Sequence, residues 1–260
     1  MKLLIKVGGS LLEEPDSRRR IAAEVVEIAR EYETVIVHGG GKQLTRFLES
    51  QGVQSAFVNG MRVSDEAVID GLTKVIAGSV NKALVAALIA AGEAAVGLSG
   101  IDGGLTKAVQ LSPEMQFVGR PAATEGRLLD LLVNAGYLPV VACLAGDAQG
   151  AIFNVNADQM AVSCATGWRA DKLIFLTDVA GVKNAAGEVV RFLTTGQIRE
   201  LIATGVARGG MQAKLEAATA ALEAGIEEVL IAPGQEARVL KRLIAGEAMG
   251  TRLGIAEILT

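Results

Sequence analysis

Two short segments decide the fold: residues 2–10, KLLIKVGGS, and residues 34–42, TVIVHGGGK. Each is an apolar run that ends in glycines, and the second leads directly into a segment with helical spacing. Apolar runs of this length are typical of strands whose two faces are both covered. Ligands of open α/β sheets bind where parallel strands end, and glycine there lets backbone N–H groups approach an anion. The two segments therefore predict a parallel sheet with an anion site at the carboxyl ends of its strands.

The rest of the chain alternates in the same way between short apolar runs and longer amphipathic segments. This alternation favours an α/β fold, a three-layer α/β/α sandwich around a mainly parallel central sheet. The strands are predicted at Lys2–Val7, Thr34–Val37, Ala94–Leu98, Leu138–Ala142, Lys172–Leu176 and Glu228–Ile231. The helices are predicted at Ser17–Glu31, Lys42–Gln51, Asp65–Ala91 with a break near Gly78, Glu125–Ala135, Ala157–Thr166, Gly196–Ala203, Met211–Ala224 and Glu236–Leu243.

Two hairpins interrupt this alternation. Residues 103–119 hold two alternating segments around Ser-Pro-Glu, a pattern typical of a β-hairpin. A second, shorter hairpin is predicted at Ser55–Arg62, with Asn59–Gly60 as its turn. Ser64 and Asn156 are predicted helix N-caps. A soft division near residue 170 separates the half that contains the hairpins from a shorter βα half.

Composition limits the function. The chain has 260 residues, of which 50% are hydrophobic, so it is not disordered, and its formal net charge of -4 argues against a general nucleic-acid partner. Cys143 and Cys164 have neither zinc-site nor disulfide spacing, which fits a reduced, cytoplasmic setting. The longest apolar run, Ala83–Gly92, is about half of the ~20 residues that a membrane span needs. We therefore expect no membrane partner and no signal peptide.

The glycine loops do not match the standard nucleotide motifs. A Walker A loop needs Gly-x4-Gly-Lys followed by Ser or Thr, but here Gln43 follows Lys42 and Ile36 stands in place of the first glycine. The first strand is not followed by Gly-x-Gly-x-x-Gly. Both observations argue against a P-loop nucleotidase and a simple Rossmann dehydrogenase.

Three charged residues occupy unusual positions. Lys6 lies inside an apolar strand one residue before the Gly8–Gly9 pair, where it could donate to phosphate oxygens; the alternative is a solvated edge lysine. Lys214 is placed in the first turn of the Met211 helix, where a cation opposes the helix dipole unless an anion sits there. Asp158, in another first helical turn, could lie between the two lysines. The single histidine, His38, is interpreted as a structural hydrogen-bonding residue.

Two further residues are candidates for binding a carboxylate. Arg62, at the end of the second hairpin, could hold one with two parallel hydrogen bonds, or it could be a surface arginine. Asn154, in the run Asn-Val-Asn-Ala-Asp of residues 154–158, could donate to the same carboxylate or to an amide.

Taken together, these residues resemble the amino-acid kinase family over essentially the whole chain. Each motif alone is weak, but their combination and order are specific. The motifs are KVGGS (Lys6–Ser10), VHGGGK (Val37–Lys42), NGMRV (Asn59–Val63), GLSGIDGG (Gly97–Gly104), GYLPVV (Gly136–Val141), NVNADQ (Asn154–Gln159), LTDVAGV (Leu176–Val182) and GGMQAK (Gly209–Lys214).

The resemblance implies a sheet of about eight strands and a kinase reaction. The γ-phosphoryl group of ATP would move to the side-chain carboxylate of N-acetyl-L-glutamate, a step of arginine biosynthesis. It implies that residues 1–170 bind the amino acid and form a homodimer, and that residues 171–260 bind ATP within one continuous sheet. Mg2+ would be carried by the phosphates, with no metal ligand from the protein.

The resemblance also implies roles for individual residues. Lys6, Lys214 and Asp158 would be catalytic, the lysines neutralising the phosphoryl group and the aspartate orienting both. Gly40, Gly41, Arg62 and Asn154 would bind the amino-acid substrate. ATP would be bound by Gly8, Gly9, Asp178, Val179, Ala180, Gly181, Val182, Lys183, Val206, Ala207, Arg208, Gly210 and Met211.

Alternatives within the same fold remain open at this point. The acyl group or the acceptor could differ, as in another N-acylated glutamate or a carrier-linked aminoadipate. A ligand sensor without turnover is another alternative, and the joint presence of the two lysines and the aspartate argues against it. The chain starts at its first strand without the N-terminal helix that resembles the hexamer-forming element of arginine-inhibited members. We therefore expect a homodimer that arginine does not inhibit.

Overall fold

A computed structural model describes residues 1–58 and 60–255 of the chain. Its strands are β1 (Lys2–Val7), β2 (Glu33–His38), β3 (Phe57–Val58), β4 (Met61–Arg62), β5 (Ala95–Ser99), β6 (Thr106–Gln110), β7 (Val118–Thr124), β8 (Leu138–Ala142), β9 (Leu144–Gly146), β10 (Ile152–Val155), β11 (Lys172–Thr177), β12 (Phe192–Thr194), β13 (Glu228–Pro233) and β14 (Thr251–Gly254). Its α-helices are α1 (Pro15–Ala29), α2 (Gly41–Ser50), α3 (Glu66–Leu72), α4 (Asn81–Ala90), α5 (Arg127–Asn134), α6 (Ala157–Trp168), α7 (Thr195–Ala203), α8 (Gly209–Glu223) and α9 (Val239–Ile244).

The centre of the protein is an eight-stranded sheet in the order β12-β14-β13-β11-β1-β2-β8-β5. Neighbouring strands are parallel except β14, which is antiparallel to β13. The central strand β1 carries Leu3, Leu4 and Ile5, which are fully buried, because helices cover both of its faces. The predicted mainly parallel sheet of about eight strands is confirmed.

The helices form a layer on each face of this sheet. One group consists of α1 packed against α4 and α9, and the other consists of α5, α6 and α8. All eight predicted helices are present, with ends that differ by a few residues. The largest shift is at α9, which starts at Val239 rather than Glu236 because Arg238 adopts a left-handed conformation with φ of 57°.

The predicted break near Gly78 is not a break. The helix stays continuous from Glu66 to Ala90 because residues Thr73–Val80 form a π-helical run between α3 and α4. The continuous helix Glu66–Ala90, 25 residues in length, is long and apolar enough to cross a membrane, although polar residues interrupt its apolar sequence. Helices in the cores of other proteins have the same length and composition, and its buried residues, such as Leu84 and Leu88, join the hydrophobic core.

Both hairpins are present. β6 and β7 pair antiparallel as predicted and close into a small barrel with β9 and β10, which positions Asn154 on β10. β3 and β4 also pair antiparallel, while Asn59, predicted in their turn, lies outside the described residues. Asn156 caps α6 as predicted, but the prediction for Ser64 is wrong. Asp65 caps α3 instead, because its carboxylate accepts from the amide of Val68.

The contact between α6 and β7 predicts a stability effect. A methyl group at Gly167 of α6 would lie 2.3 Å from the carbonyl oxygen of Thr124, a backbone atom that cannot rotate away. We expect Gly167→Ala to lower the free energy of unfolding by about 1–3 kcal/mol, measured by urea denaturation. Gly196→Ala in α7 is the control, because the nearest atom is 3.8 Å away and alanine favours a helix. Equal denaturation midpoints for the two variants would contradict the close approach.

Candidate functional site

Two glycine loops meet at the carboxyl edge of the sheet. β1 and β2 end side by side, with Val7 opposite His38, so the loops after them are neighbours. A methyl group on Gly9 would lie 2.9 Å from Cα of Gly40, so the two backbones touch and only glycine fits there. α2 begins at Gly41, and the amides of its first turn lack acceptors within the helix. The two glycine loops and the start of α2 are therefore adjacent, and an anion site at this edge stays a prediction.

One further residue, which no sequence motif indicates, joins these loops. Nε2 of Gln43, in the first turn of α2, donates to the carbonyl oxygen of Gly9 at 3.0 Å. The side chain therefore ties the second glycine loop to the first. A glutamine three residues into a helix is common in sequences, so nothing in the pattern indicated this contact.

Lys6, Asp158 and Lys214 form a buried ion cluster. Nζ of Lys6 lies 2.7 Å from Oδ1 of Asp158, and Nζ of Lys214 lies 2.8 Å from Oδ2 of the same carboxylate. Each of the three residues is at most 9% exposed. Asp158 lies between the two lysines, as the sequence predicts.

Three separate elements bring this cluster together. Lys6 lies near the end of β1, and Asp158 lies in the first turn of α6, which Asn156 caps. The prediction that Lys214 lies in the first turn of its helix is wrong. α8 begins at Gly209, which places Lys214 in the second turn, where its ammonium lies 5.0 Å from the ring centroid of Phe175.

The three charges of the cluster sum to +1, and the carboxylate of Asp178 acts on Lys214 from outside the cluster. Burial raises the pKa of Asp158, but the charges of Lys6 and Lys214 outweigh this effect and hold the pKa below its usual value. Burial, reinforced by repulsion from Lys6, lowers the pKa of Lys214 despite its bond to Asp158. Two buried ammonium groups that share one carboxylate provide a site for an additional anion.

The four predicted substrate-binding residues line one cavity of about 220 Å³ beside the second glycine loop. Gly40 and Gly41 form one side, and Arg62 and Asn154 contribute polar groups from β4 and β10. This volume is below the ~300–1,000 Å³ of drug-sized pockets, so the cavity suits a small metabolite. Further lining residues are Gly39, Leu44, Phe57, Gly60, Met61, Leu72, Ile76, Val118, Cys143, Val155, Asn156 and Ala157.

Arg62 is a buried cation in this cavity. It is 8% exposed; its guanidinium donates to the hydroxyls of Ser55 and Thr45 and lies over the ring of Phe57. Burial lowers its pKa, and the charge of Glu49 opposes that effect. Within residues 1–58 and 60–255, no carboxylate forms an ion pair with Arg62. A buried guanidinium without a counter-ion predicts an anionic ligand.

Asn154 is held by a residue that sequence analysis had assigned to another role. Its Nδ2 donates to Oγ of Ser64 at 3.0 Å, and Ser64 is fully buried. Ser64 therefore supports the cavity wall rather than the end of a helix.

The residues predicted to bind ATP lie in loops around the same edge of the sheet. Asp178 follows β11, and its carboxylate accepts from Oγ of Ser10 at 3.4 Å. Val179 and Ala180 are exposed beside it, whereas Val182 is buried and its amide donates to Thr251. The other predicted segment, Val206–Arg208, leads into Gly210 and Met211 at the start of α8, and the amide of Ala207 donates to the carbonyl of Leu201.

A larger cavity of about 600 Å³ lies between β7, α6 and α8. None of the predicted site residues lines it. The smaller cavity, which contains the buried guanidinium, is therefore the better candidate for the site of chemistry.

His38 lies below the second glycine loop and is fully buried. Its Nδ1 is 2.8 Å from the carbonyl oxygen of Gly39, and its Nε2 is 3.0 Å from Nδ2 of Asn81. Burial lowers its pKa to about 4, so the imidazole is neutral near pH 7. This geometry agrees with a structural hydrogen-bonding role, and its partner Asn81 was not singled out by the sequence.

The lowered pKa of His38 predicts a loss of stability in acid. The unfolded chain takes up a proton at this residue near pH 6.5, whereas the folded protein does so only near pH 4. Protonation therefore favours unfolding as the pH falls between these values, by up to about 3 kcal/mol. Urea denaturation of the wild type and His38→Gln at a series of pH values measures this contribution.

We expect the variant to lose less stability than the wild type between pH 6.5 and pH 4. Asp158, whose pKa is also lowered, destabilises both proteins equally in acid, so the difference reports His38. Parallel pH profiles for the two proteins would contradict the prediction.

Known proteins resemble this chain throughout. A profile of the amino acid kinase family matches residues 1–233. The acetylglutamate kinase of Solibacter usitatus is 51% identical over 254 residues, covering 97% of this chain and 99% of that protein. The acetylglutamate kinase of Acidobacterium capsulatum is 43% identical, covering 94% and 95%.

Solved structures agree in fold. The N-acetylglutamate synthase of Neisseria gonorrhoeae, complexed with coenzyme A and N-acetyl-glutamate, superimposes with a TM-score of 0.87 at 25% identity. The match covers 99% of this chain but spans 60% of that longer protein. A Giardia carbamate kinase superimposes with a TM-score of 0.74 at 17% identity, covering 98% and 99%. The chain therefore belongs to the amino acid kinase family.

Proposed function

We propose that the protein transfers the γ-phosphoryl group of ATP to the side-chain carboxylate of N-acetyl-L-glutamate, giving N-acetylglutamyl 5-phosphate for arginine biosynthesis. The observation that carries the proposal is the buried cluster of Lys6, Asp158 and Lys214, with one positive charge in excess, next to a cavity that holds the uncompensated Arg62. Acetylglutamate kinases similar to nearly the whole chain support the choice of substrate.

In this proposal the small cavity holds the acceptor. Arg62 pairs with the α-carboxylate, and Asn154 donates a further hydrogen bond to it. Gly40 and Gly41 also line the cavity, so the opposite end of the acceptor faces the glycine loops. The side-chain carboxylate then lies where the phosphoryl group arrives.

The reaction needs charge neutralisation more than proton transfer. A carboxylate oxygen attacks the γ-phosphorus, and the bond to the bridging β,γ-oxygen breaks, with the electron pair leaving on ADP. The acceptor is ionised at neutral pH, so no general base is required. Lys6 neutralises the phosphoryl group from the acceptor side and Lys214 from the ATP side, while Asp158 orients both ammonium groups. Amides of Gly9 and Gly41 donate to phosphate oxygens, whereas the amide of Gly8 donates to the carbonyl oxygen of Leu176 and brings the loop to its place.

The remaining proposed contacts concern ATP and Mg2+. Residues 1–170 hold the acceptor and residues 171–260 hold ATP, the latter through Asp178, Val179, Ala180, Gly181, Val182, Lys183, Val206, Ala207, Arg208, Gly210 and Met211. Among the described residues, no group of three or more His, Cys, Asp or Glu side chains could hold a metal. We accordingly propose that Mg2+ enters on the phosphates.

A cytoplasmic location is part of the proposal. Cys143 and Cys164 are buried free thiols, and burial raises their pKa to about 11 and about 12. Protonated, unpaired thiols suit a reducing compartment.

Lys214→Ala tests the chemical role of the cluster. We expect kcat to fall by about 10²–10³, because the variant loses a donor to the transferring phosphoryl group. The rate is measured by trapping the acyl phosphate with hydroxylamine, using N-acetyl-, N-succinyl- and free L-glutamate as acceptors. If only N-succinyl-L-glutamate were turned over, the acyl group of the substrate would be succinyl and not the proposed acetyl.

Two further variants make the kinetic test specific. Arg62→Ala should chiefly raise KM for the acceptor, since it removes a binding contact. Lys241→Ala is the matched control: this exposed lysine of α9 pairs with Glu27 and lies outside the site. Wild-type kcat in Lys214→Ala would remove that lysine from the mechanism, and an absence of turnover in the wild type would favour a ligand sensor.

We propose a homodimer through the edge formed by β5 and α4. β5 is the last strand of the sheet, four of its five residues are partly exposed, and Ile89 on α4 is 56% exposed. Ile89→Glu should shift the protein to a monomer in sedimentation velocity, because it places a charge in an apolar contact. Leu131→Glu on α5 is the control, a similarly exposed leucine. Equal sedimentation of the two variants would place the interface elsewhere.

A further inference from the structure

A buried asparagine supports the second glycine loop from below. Nδ2 of Asn81 donates to Nε2 of His38 at 3.0 Å and to the carbonyl oxygen of Val140 at 2.9 Å. Both Asn81 and His38 are completely buried. The side chain therefore uses its two amide hydrogens to link the end of β2 to β8.

These contacts determine which nitrogen of His38 carries the proton. An amide nitrogen only donates, so Nε2 of His38 must accept from Asn81. In the neutral imidazole, Nδ1 then carries the hydrogen and donates to the carbonyl oxygen of Gly39 at 2.8 Å. Asn81 thus holds, from its Nε2 side, the imidazole ring whose Nδ1–H binds the Gly39 carbonyl oxygen.

The direction of that carbonyl sets the direction of the next amide. In a trans peptide, C=O and N–H point to opposite sides, and no cis peptide occurs in the described residues. Because the Gly39 oxygen points toward His38, the N–H of Gly40 points away from it. The nitrogen of Gly40 accordingly lies on the side of Gly9, where a methyl group on Gly9 would be 2.9 Å from it.

Close packing around Asn81 and Gly40 restricts the positions of both residues. The π-helical run Thr73–Val80 precedes Asn81, and a methyl group on Gly40 would lie 2.5 Å from Cδ1 of Ile76 in that run. A methyl group on Gly97 of β5 would lie 2.0 Å from Oδ1 of Asn81, so glycine makes room for the amide. π-Helical turns within α-helices are frequent at functional sites.

We propose that Asn81 is a positioning residue for phosphoryl transfer: through His38 and the Gly39 carbonyl it aims the Gly40 N–H at the transferring group. This inference rests on the proposed function. The amide is a backbone group and cannot be removed by mutation, but the side chain that aims it can be changed.

The test combines a spectroscopic and a kinetic measurement. His38 is the only histidine in the chain, so long-range ¹H–¹⁵N spectra of the tag-free protein contain a single imidazole. We expect the Nδ1–H tautomer in the wild type. In Asn81→Leu, which lacks the donor to Nε2, we expect the ¹⁵N signal of Nε2 to move to that of a nitrogen without a hydrogen bond, while the Gly39 carbonyl keeps the hydrogen on Nδ1. We expect kcat for N-acetyl-L-glutamate to fall by about 10²-fold in this variant, with KM for both substrates little changed.

Lys82→Met is the matched control. Lys82 donates to Oδ1 of Asn81 at 3.1 Å, so its removal leaves both amide hydrogens of Asn81 in place. We expect wild-type tautomer and kcat in this variant.

Each contrary result has a distinct meaning. An Nε2–H tautomer in the wild type overturns the inference without any variant, so the test does not depend on the folding of Asn81→Leu. Unchanged kcat in Asn81→Leu despite a shifted Nε2 signal overturns the inference alone. A wild type that does not phosphorylate N-acetyl-L-glutamate overturns the proposed function and this inference with it.

Discussion

The site depends on one shared carboxylate. Removing two lysines from water costs several kcal/mol for each ion, and Asp158 offsets part of this cost for both because its two oxygens each face one ammonium. The arrangement stabilises the folded protein only while the carboxylate is present, and it leaves one charge for an anion. β1, α6 and α8 come from three distant parts of the chain, so the fold must be complete before this cluster exists.

Glycine acts in this protein through close backbone contacts as much as through flexibility. At Gly9 and Gly40 the contact joins the two glycine loops after β1 and β2, at a point where no side chain would fit. At Gly167 a contact of the same kind only packs α6 against β7. The sequence alone does not distinguish the glycines of the loops from Gly167. The residues that each of them contacts are distant along the chain, so the difference appears only in the folded protein.

The pattern of apolar and polar residues predicts most strands and helices correctly, because the residues next to an element decide where it starts and ends. β1 has the predicted ends, since its apolar run is closed by the Gly8–Gly9 pair. β8 also has the predicted ends, although its apolar run continues through Cys143–Ala145. The grouping of Lys6, Asp158 and Lys214 was also predictable, because buried charges need partners. Asn81 and Gln43 were not, since their importance comes from what lies across the fold. Ser64 was misassigned because the adjacent Asp65 competes for the same cap.

The net charge of -4 is compatible with the proposed anion site because most of the acidic side chains lie far from that site. Surface carboxylates are separated from the site by solvent, where salt screens charges over about 8–10 Å. Lys6, Lys214 and Arg62 lie within the protein and next to the cavity and loops, where screening is weak. Their potential therefore dominates at the distances over which hydrogen bonds form, whereas the acidic surface governs only the long-range approach of a ligand. An acidic protein can bind two anions side by side on these terms, provided that its few buried cations are held rigidly, which is the part played by the backbone contacts beneath the loops.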